Sequence, residues 1–414
     1  MMKYFRINIF LKFKLYLFAF FLPKSKLEKK IEKLIKINSN KKIFTLTSQL
    51  RVGFLILLKY LKNKYPKKDE IIFSPYNIAE MVNIAHSLNF KPVFSDINYD
   101  SGFYDYKNLK KKIKKHTLAI VLTNMFNNYE DTNKVKQLCK KNNIILIEDN
   151  AISFDNFKIK NNKKIFTGRF GDYSLYSFNI MKNISALYGG GVSTNDNKFL
   201  KFYSNEKLNY SNFPFFLYLK QNFIYFFLKI ISINLIYKNF FFNLVKFAHL
   251  KRNFFLLKLF YPSLKFKKEI PKYYFANIKN FSKKLIYLQL ADQKSRIANH
   301  KNRKKINLIY FSQFKKLNIK QIKMIPIKDF GYQNFIDFPV LVKDKEGLNK
   351  FLLNKGIELR SIYYTNCSKL FKTKNKFLNA EKYEKEILCL PNHEKIQKKY
   401  IYFIINAISE FYYK

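Results

Sequence analysis

Between Lys42 and Asp196 the apolar positions of the chain alternate between two rhythms. Residues 49–61 are apolar at helical spacing, whereas Glu70-Ile-Ile-Phe-Ser-Pro75 is a short continuous apolar run stopped by proline. The alternation predicts further helices over 78–88, 106–115 and 132–142. It predicts strands over 91–96, 118–123 and 144–149. Runs of Ile, Leu and Val without alternation mean strands buried on both faces, hence a parallel sheet between layers of helix. A doubly wound α/β domain over 42–199 follows. Ligands of such sheets bind beyond the carboxyl ends of the strands, where Thr123-Asn124 and Glu148-Asp149 lie.

After Asp196 the rhythm changes. Residues 200–270 are unusually aromatic, with Phe213-Pro-Phe-Phe-Leu-Tyr-Leu219, Phe223-Ile-Tyr-Phe-Phe-Leu228 and Phe240-Phe-Phe242. On one helical wheel Gln221, Asn222, Lys229, Ser232, Asn239, Asn243 and Lys246 form a polar stripe, with Lys220, Asn234 and Lys238 outside it. Uncharged runs here are too short to span a bilayer. Two expectations stand: an interfacial helix on anionic lipid, or an insertion packed on its own subunit or at a dimer interface. Residues 1–41 are an apolar and basic segment whose longest uncharged run, from Leu15 to Pro23, is also too short for a span, and Lys24-Ser25-Lys26 follows where signal cleavage needs small residues. An amphipathic element on a membrane or on the body of the protein is expected there. Helical spacing returns over 280–301, with Gln289 and Gln293 on one face, and residues 271–414 otherwise alternate helix and strand as a smaller α+β domain. Arg360 is placed in a strand after Gly356, as a surface cation or a contact for a substrate anion. His393 is expected to be structural.

Composition narrows this picture. The 414 residues carry a formal charge of +50, but the lysines are spread along the whole length, beside abundant Asn, Ile, Phe and Tyr. Such spreading is a coding bias and not a nucleic-acid footprint. Cys139, Cys367 and Cys389 are too few and too far apart for a disulfide framework or a metal site, so a reducing cytoplasm is expected.

Five of only ten glycines fall between Gly168 and Gly191, and Lys182 stands among them, after Ser177-Phe178 and before Gly189-Gly-Gly191. A lysine in a glycine-lined turn between two strands suits imine chemistry. The ordered set Glu70-Ile-Ile-Phe-Ser-Pro-Tyr-Asn77, Lys91-Pro-Val-Phe-Ser-Asp96, Leu146-Ile-Glu-Asp149, Gly168-Arg-Phe-Gly-Asp172, Ser177-Phe-Asn-Ile-Met-Lys-Asn183 and Gly189-Gly-Gly-Val-Ser-Thr-Asn-Asp196 resembles the DegT/DnrJ/EryC1/StrS family of sugar aminotransferases. Phe338-Pro-Val-Leu-Val342, Gly356-Ile-Glu-Leu-Arg360 and Leu388-Cys-Leu-Pro-Asn-His393 resemble landmarks of its small domain.

The resemblance implies a fold-type-I, pyridoxal-5'-phosphate-dependent transferase, with a mostly parallel central sheet flanked by helices and a smaller C-terminal domain. Lys182 would form the resting Schiff base and shuttle the proton, and Asp149 would hold the pyridine nitrogen protonated. Ser177, with Ser48 or Arg51, would bind the phosphate. Asn124 and Tyr76 stand near family positions that touch the cofactor. The implied reaction converts a keto group on a nucleotide-linked sugar to an amine, from glutamate or a similar donor, for surface polysaccharide or envelope biosynthesis. The implied unit is a cytoplasmic homodimer, with contact at the inner face of the membrane left open.

The chain also departs from the family pattern. Leu50 replaces a glycine at the first helix N-terminus, Asn124 and Ile152 stand where histidine or glutamine is usual, and Ile78 stands where an aromatic covers the ring. Two alternatives follow: a catalytically altered relative with a sensing or scaffolding role, or a membrane-peripheral interaction protein of envelope biosynthesis.

Overall fold

The computed structural model describes residues 3–253, 255–257, 269–361, 364–371, 373 and 375–413. Residues 254 and 258–268 of the aromatic stretch lie outside these. The chain opens with α1 (Phe13–Phe21) and α2 (Leu27–Ser39). The body then runs β1 (Ile43–Thr47), α3 (Leu50–Lys64), β2 (Glu70–Phe73), β3 (Tyr76–Asn77), α4 (Ala79–Ser87), β4 (Lys91–Phe94), α5 (Tyr106–Lys112), β5 (Thr117–Thr123), α6 (Tyr129–Lys141), β6 (Ile145–Asp149), a hairpin of β7 (Phe157–Lys160) and β8 (Lys163–Phe166), β9 (Tyr173–Ser177), β10 (Gly190–Thr194) and α7 (Asn197–Leu208).

Seven strands form one sheet in the order β1-β10-β9-β6-β5-β2-β4. Five of them are parallel, as the uninterrupted apolar runs require, whereas β10 runs against both β9 and β1. The reversal arises because the loop after β9 returns the chain directly, without a crossover helix. The helix α3 is apolar almost all round: Phe54, Leu55, Leu57, Leu58 and Leu61 are fully buried between the sheet, α4 and α7. Each such side chain contributes about 1.5–3 kcal/mol.

The glycine triplet permits close approach within the chain. A Cβ on Gly190 would stand 2.1 Å from the Leu50 nitrogen, and one on Gly191 would stand 2.3 Å from the Phe44 ring. The close approach is therefore between β10 and the β1–α3 turn of the same chain.

The aromatic stretch forms α8 (Phe215–Ile231), α9 (Asn234–Ile236) and α10 (Phe242–Leu250). These do not make one straight helix. The chain bends by 80° between α8 and the helices that follow. At the bend the Lys395 ammonium donates to the carbonyl and hydroxyl oxygens of Ser232, at 3.3 and 3.0 Å, which closes the end of α8. The single wheel through 221–246 is thus broken: Gln221, Asn222, Lys229 and Ser232 bond inward, while Asn239 and Asn243 are exposed.

The helix expected over 280–301 is likewise two, Asn280–Ala291 and Gln293–Leu317, because the Asp292 carboxylate caps the second through the Ser295 N–H. The C-terminal part is α+β, with Ile322–Met324, Phe338–Val342 and Ile387–Leu390 forming an antiparallel sheet. All three cysteines are buried and free.

Gly190→Ala is expected to cost about 1–3 kcal/mol of stability by overpacking. Chemical denaturation checks this, and an unchanged midpoint would show that the turn has room to give.

Candidate active site

The register of β10 brings the pieces of the site together. Ser177, the last residue of β9, pairs with Gly190, and Gln49 bridges Gly189. The end of β9, the start of α3 and the loop carrying Lys182 are therefore neighbours. That loop is folded on itself: the Phe178 N–H donates to the Gly189 carbonyl at 2.9 Å and the Ala186 N–H to the Phe178 carbonyl at 2.8 Å. It is also held from outside. Gln289 accepts from the Ser185 N–H and donates to its carbonyl, at 2.9 and 2.7 Å. Arg303 donates to the Asn183 side chain at 2.8 Å, and Gln221 of α8 donates to the Asn179 side chain at 2.9 Å.

Lys182 keeps part of its surface open, yet burial pushes its ammonium down to about 8; Asp149 opposes this, and Arg360 and Arg51 add to it. Asp149 ends β6 and is buried. One of its oxygens accepts the Ala151 N–H at 2.9 Å. Burial raises its carboxyl, against that N–H and the charges of Lys182 and Arg51. The amine and the carboxylate thus set each other's charge state.

Anion chemistry surrounds the amine. The Ser48 hydroxyl is buried and has no hydrogen-bond partner. No side chain caps α3, which leaves its first N–H groups facing outward from the helix end. The glycine missing at Leu50 is not needed: Gln49 has φ −153° and ψ 159°, so the turn forms without a left-handed residue. Arg51 stands at the edge of this cradle, 3.3 Å from the Tyr274 hydroxyl and 3.8 Å from Glu80. An amine, a buried carboxylate and a cradle with an unpartnered hydroxyl fit pyridoxal phosphate.

Two sequence-predicted contacts lie elsewhere. Glu148 and Asp149 are successive strand residues and point to opposite faces. The Asn124 amide donates to Glu148 and Asn150 at 2.9 and 2.7 Å and accepts from Asn127, so it sits on the face away from Lys182. Glu148 there also receives the N–H groups of Gly168 and Gly171; Gly168 has φ +86°, and a Cβ on Gly171 would stand 2.6 Å from the Tyr173 carbonyl oxygen. Tyr76 is 0% exposed, packed against Tyr364 and Tyr383 with its hydroxyl accepting the Tyr364 N–H at 3.2 Å. It has no surface to offer a cofactor. Ile78 and Ile152 are half-buried against the main core.

Other residues join the site without a local signal in sequence. Asp337 accepts from Arg360 at 2.5 Å, so Arg360 is an ion-paired wall of the cleft and not a surface cation. Tyr364 lies near enough to Asp149 for that charge to raise its hydroxyl further, after burial. The first residues of the chain complete the wall: Arg6, Asn8 and Phe10 share a small cavity with Met181, Asp337 and Arg360. This segment is fixed by a buried Arg6–Glu358 pair at 2.9 Å and by His393, whose Nε2 lies 3.0 Å from the Phe5 carbonyl. His393 is buried and also lines that cavity.

Solved structures share this architecture over nearly the whole chain. Helicobacter pylori PseC, an aminotransferase involved in the biosynthesis of pseudoaminic acid, matches with a TM-score of 0.70 at 18% identity, covering 99% of each chain. The PLP-form of the putative sugar aminotransferase Spr1654 from Streptococcus pneumoniae matches with 0.66 at 15% identity, covering 100% of this chain and 98% of that one. The fold is that of the fold-type-I pyridoxal-phosphate-dependent transferases. The model of the DegT/DnrJ/EryC1/StrS aminotransferase family matches residues 25–205 and 274–409, and the chain belongs to that family. GDP-perosamine synthase of Vibrio cholerae is 32% identical over 127 residues, 31% of this chain and 34% of that protein. In this and other curated relatives the match spans about a third of the relative's length.

The Lys182 amine is expected to react with a small amine-directed probe with a midpoint near pH 8. Asp149→Asn removes a charge that favours the ammonium and lowers the midpoint. Arg360→Gln removes one that disfavours it and raises the midpoint. Mass spectrometry of the labelled peptide checks both, and an ordinary lysine midpoint of about 10.4 would contradict the buried site.

Proposed function

We propose that this chain is a pyridoxal-phosphate-dependent aminotransferase that converts a keto group on a nucleotide-linked sugar to an amine, with glutamate or a similar donor, in surface polysaccharide or envelope biosynthesis. The observation that carries this reading is the pair of Lys182 and buried Asp149 beside an open anion cradle. The relatives' names support the substrate class, since one is a GDP-perosamine synthase and one solved neighbour belongs to pseudoaminic acid biosynthesis. The PLP-form of the solved Streptococcus pneumoniae neighbour supports the cofactor.

When bound, the cofactor would supply the electron sink that makes the hydrogen beside the transferred nitrogen acidic. Lys182 anchors it and moves that proton, and an amine with a pKa of about 8 is partly neutral near physiological pH, as both tasks require. Asp149 would hold the ring nitrogen in its protonated form. Ser177, Ser48, the start of α3 and Arg51 hold the phosphate. Arg360, held by Asp337, faces the substrate side. The working unit in this reading is a homodimer in the cytoplasm that touches the inner face of the membrane. No single helix among the described residues is long and apolar enough to cross one.

A second reading rests on a specific observation: Asn124 and Tyr76 are committed elsewhere and Ile152 offers no donor, so fewer polar groups hold the ring. In that reading the chain binds cofactor without turning over.

Lys182→Ala is expected to abolish the near-visible absorbance of the purified protein with cofactor and to slow amino transfer by about 10²–10⁴-fold, the range for a lost proton-transfer group. Absence of that absorbance in the wild-type protein at saturating cofactor would sink the reading. Absorbance without transfer to any keto sugar would select the second. Light scattering is expected to give twice the chain mass of 49.9 kDa, and a monomer would remove the dimer.

A further inference from the structure

The amphipathic helix α8 is mounted with its polar side inward. Gln221 bonds Asn179, Asn222 accepts from the Tyr16 hydroxyl at 2.7 Å, Lys229 donates to the Ile9 carbonyl at 2.8 Å, and Ser232 receives Lys395. Its outward side is apolar instead: Phe216 is 81% exposed and Phe223 69%, with Phe215, Leu219 and Ile230 beside them. A soluble surface helix has the opposite arrangement. The patch extends onto α1, where Phe21 is 85% exposed and Phe13, Phe18 and Phe20 are more than half exposed. Phe13 and Phe226 meet edge to face with ring centroids 6.4 Å apart, and Tyr16 stacks on Tyr225 at 5.1 Å, so the two helices present one surface. A contiguous aromatic face of this kind marks an interaction site.

Charge identifies the occupant. From Met1 to Leu27 and from Lys207 to Lys268 the sequence contains no Asp or Glu. Lys24, Lys220 and Lys238 are exposed on these segments and have no acidic partner among the described residues. A second copy seated on this face would bring the same lysines together with no acid between them. An anionic lipid surface would instead accept the rings at the acyl boundary and the ammonium groups at the phosphates. Residues 215–231 and 234–250 together have the length and composition of a broken span, but the polar side of α8 is hydrogen-bonded to the body, which favours a helix lying in the plane of the bilayer.

We propose that α1 and α8 together dock the protein in the plane of an anionic lipid bilayer, with the phenylalanines inserted below the headgroups. This deepens the membrane contact of the reading above and rests on it, but not on the transamination chemistry.

The test is flotation of the full-length protein with vesicles of phosphatidylglycerol and phosphatidylcholine, or of phosphatidylcholine alone. The protein is expected to float with the first and not the second, and to be released by salt. Phe216→Glu with Phe223→Glu, and separately Lys220→Glu with Lys238→Glu, are expected to reduce the floated fraction about tenfold. Circular dichroism and near-visible absorbance are expected to stay as in the wild type. No flotation with either vesicle, equal flotation with both, or full flotation of the aromatic variant overturns the proposal. A wild-type oligomer that the aromatic variant splits in light scattering, without lipid binding, gives the face to a second copy. Because absorbance is read on the same samples, failure of the enzymatic reading is seen independently of failure to bind lipid.

Discussion

Backbone lies against backbone where Gly190 meets the Gln49–Leu50 turn, and the candidate site depends on that contact. It sets how near the sheet edge comes to the start of α3, and so places Ser48, Ser177 and the Lys182 loop around one volume. A methyl group there would push the anion cradle away from the amine. Glycine is retained in an otherwise glycine-poor chain because no other residue permits this spacing.

Around that contact the site is electrostatically uneven. Two arginines, two carboxylates and one lysine act on one another there, and burial outweighs the opposing charges for both Lys182 and Asp149. The lysine loop takes its shape from donors and acceptors on helices far along the chain, Gln289 and Arg303, and from Gln221 of the aromatic segment. The outer face of α8 and the reactive amine are thus joined through a single side chain and a short loop.

Much of this was legible in sequence. The strand end at Asp149 follows from an apolar run meeting two acids, and Lys182 stands out by its glycines. The side of Asn124 is not legible in sequence, because it lies one residue past β5, where strand alternation no longer fixes the side of the sheet. Tyr76 was misplaced because Tyr364 and Tyr383, almost three hundred residues later, draw it into the core. The wheel through 221–246 failed at Ser232 because its break is made by Lys395, a tertiary contact without a local pattern. Arg303, Asp337 and Tyr364 reach the site by the same kind of long-range packing.

The wall that Arg6, Asn8 and Phe10 supply has a temporal side. Arg6 pairs with Glu358, 352 positions later, and Phe5 with His393, 388 positions later. Residues 5–10 therefore have no seat until residues 358–393 are in place. Closing so long a loop is slow, and until it closes the apolar residues beside Arg6 are uncovered. A chain cut before Glu358 would carry the lysine loop without the wall beside it.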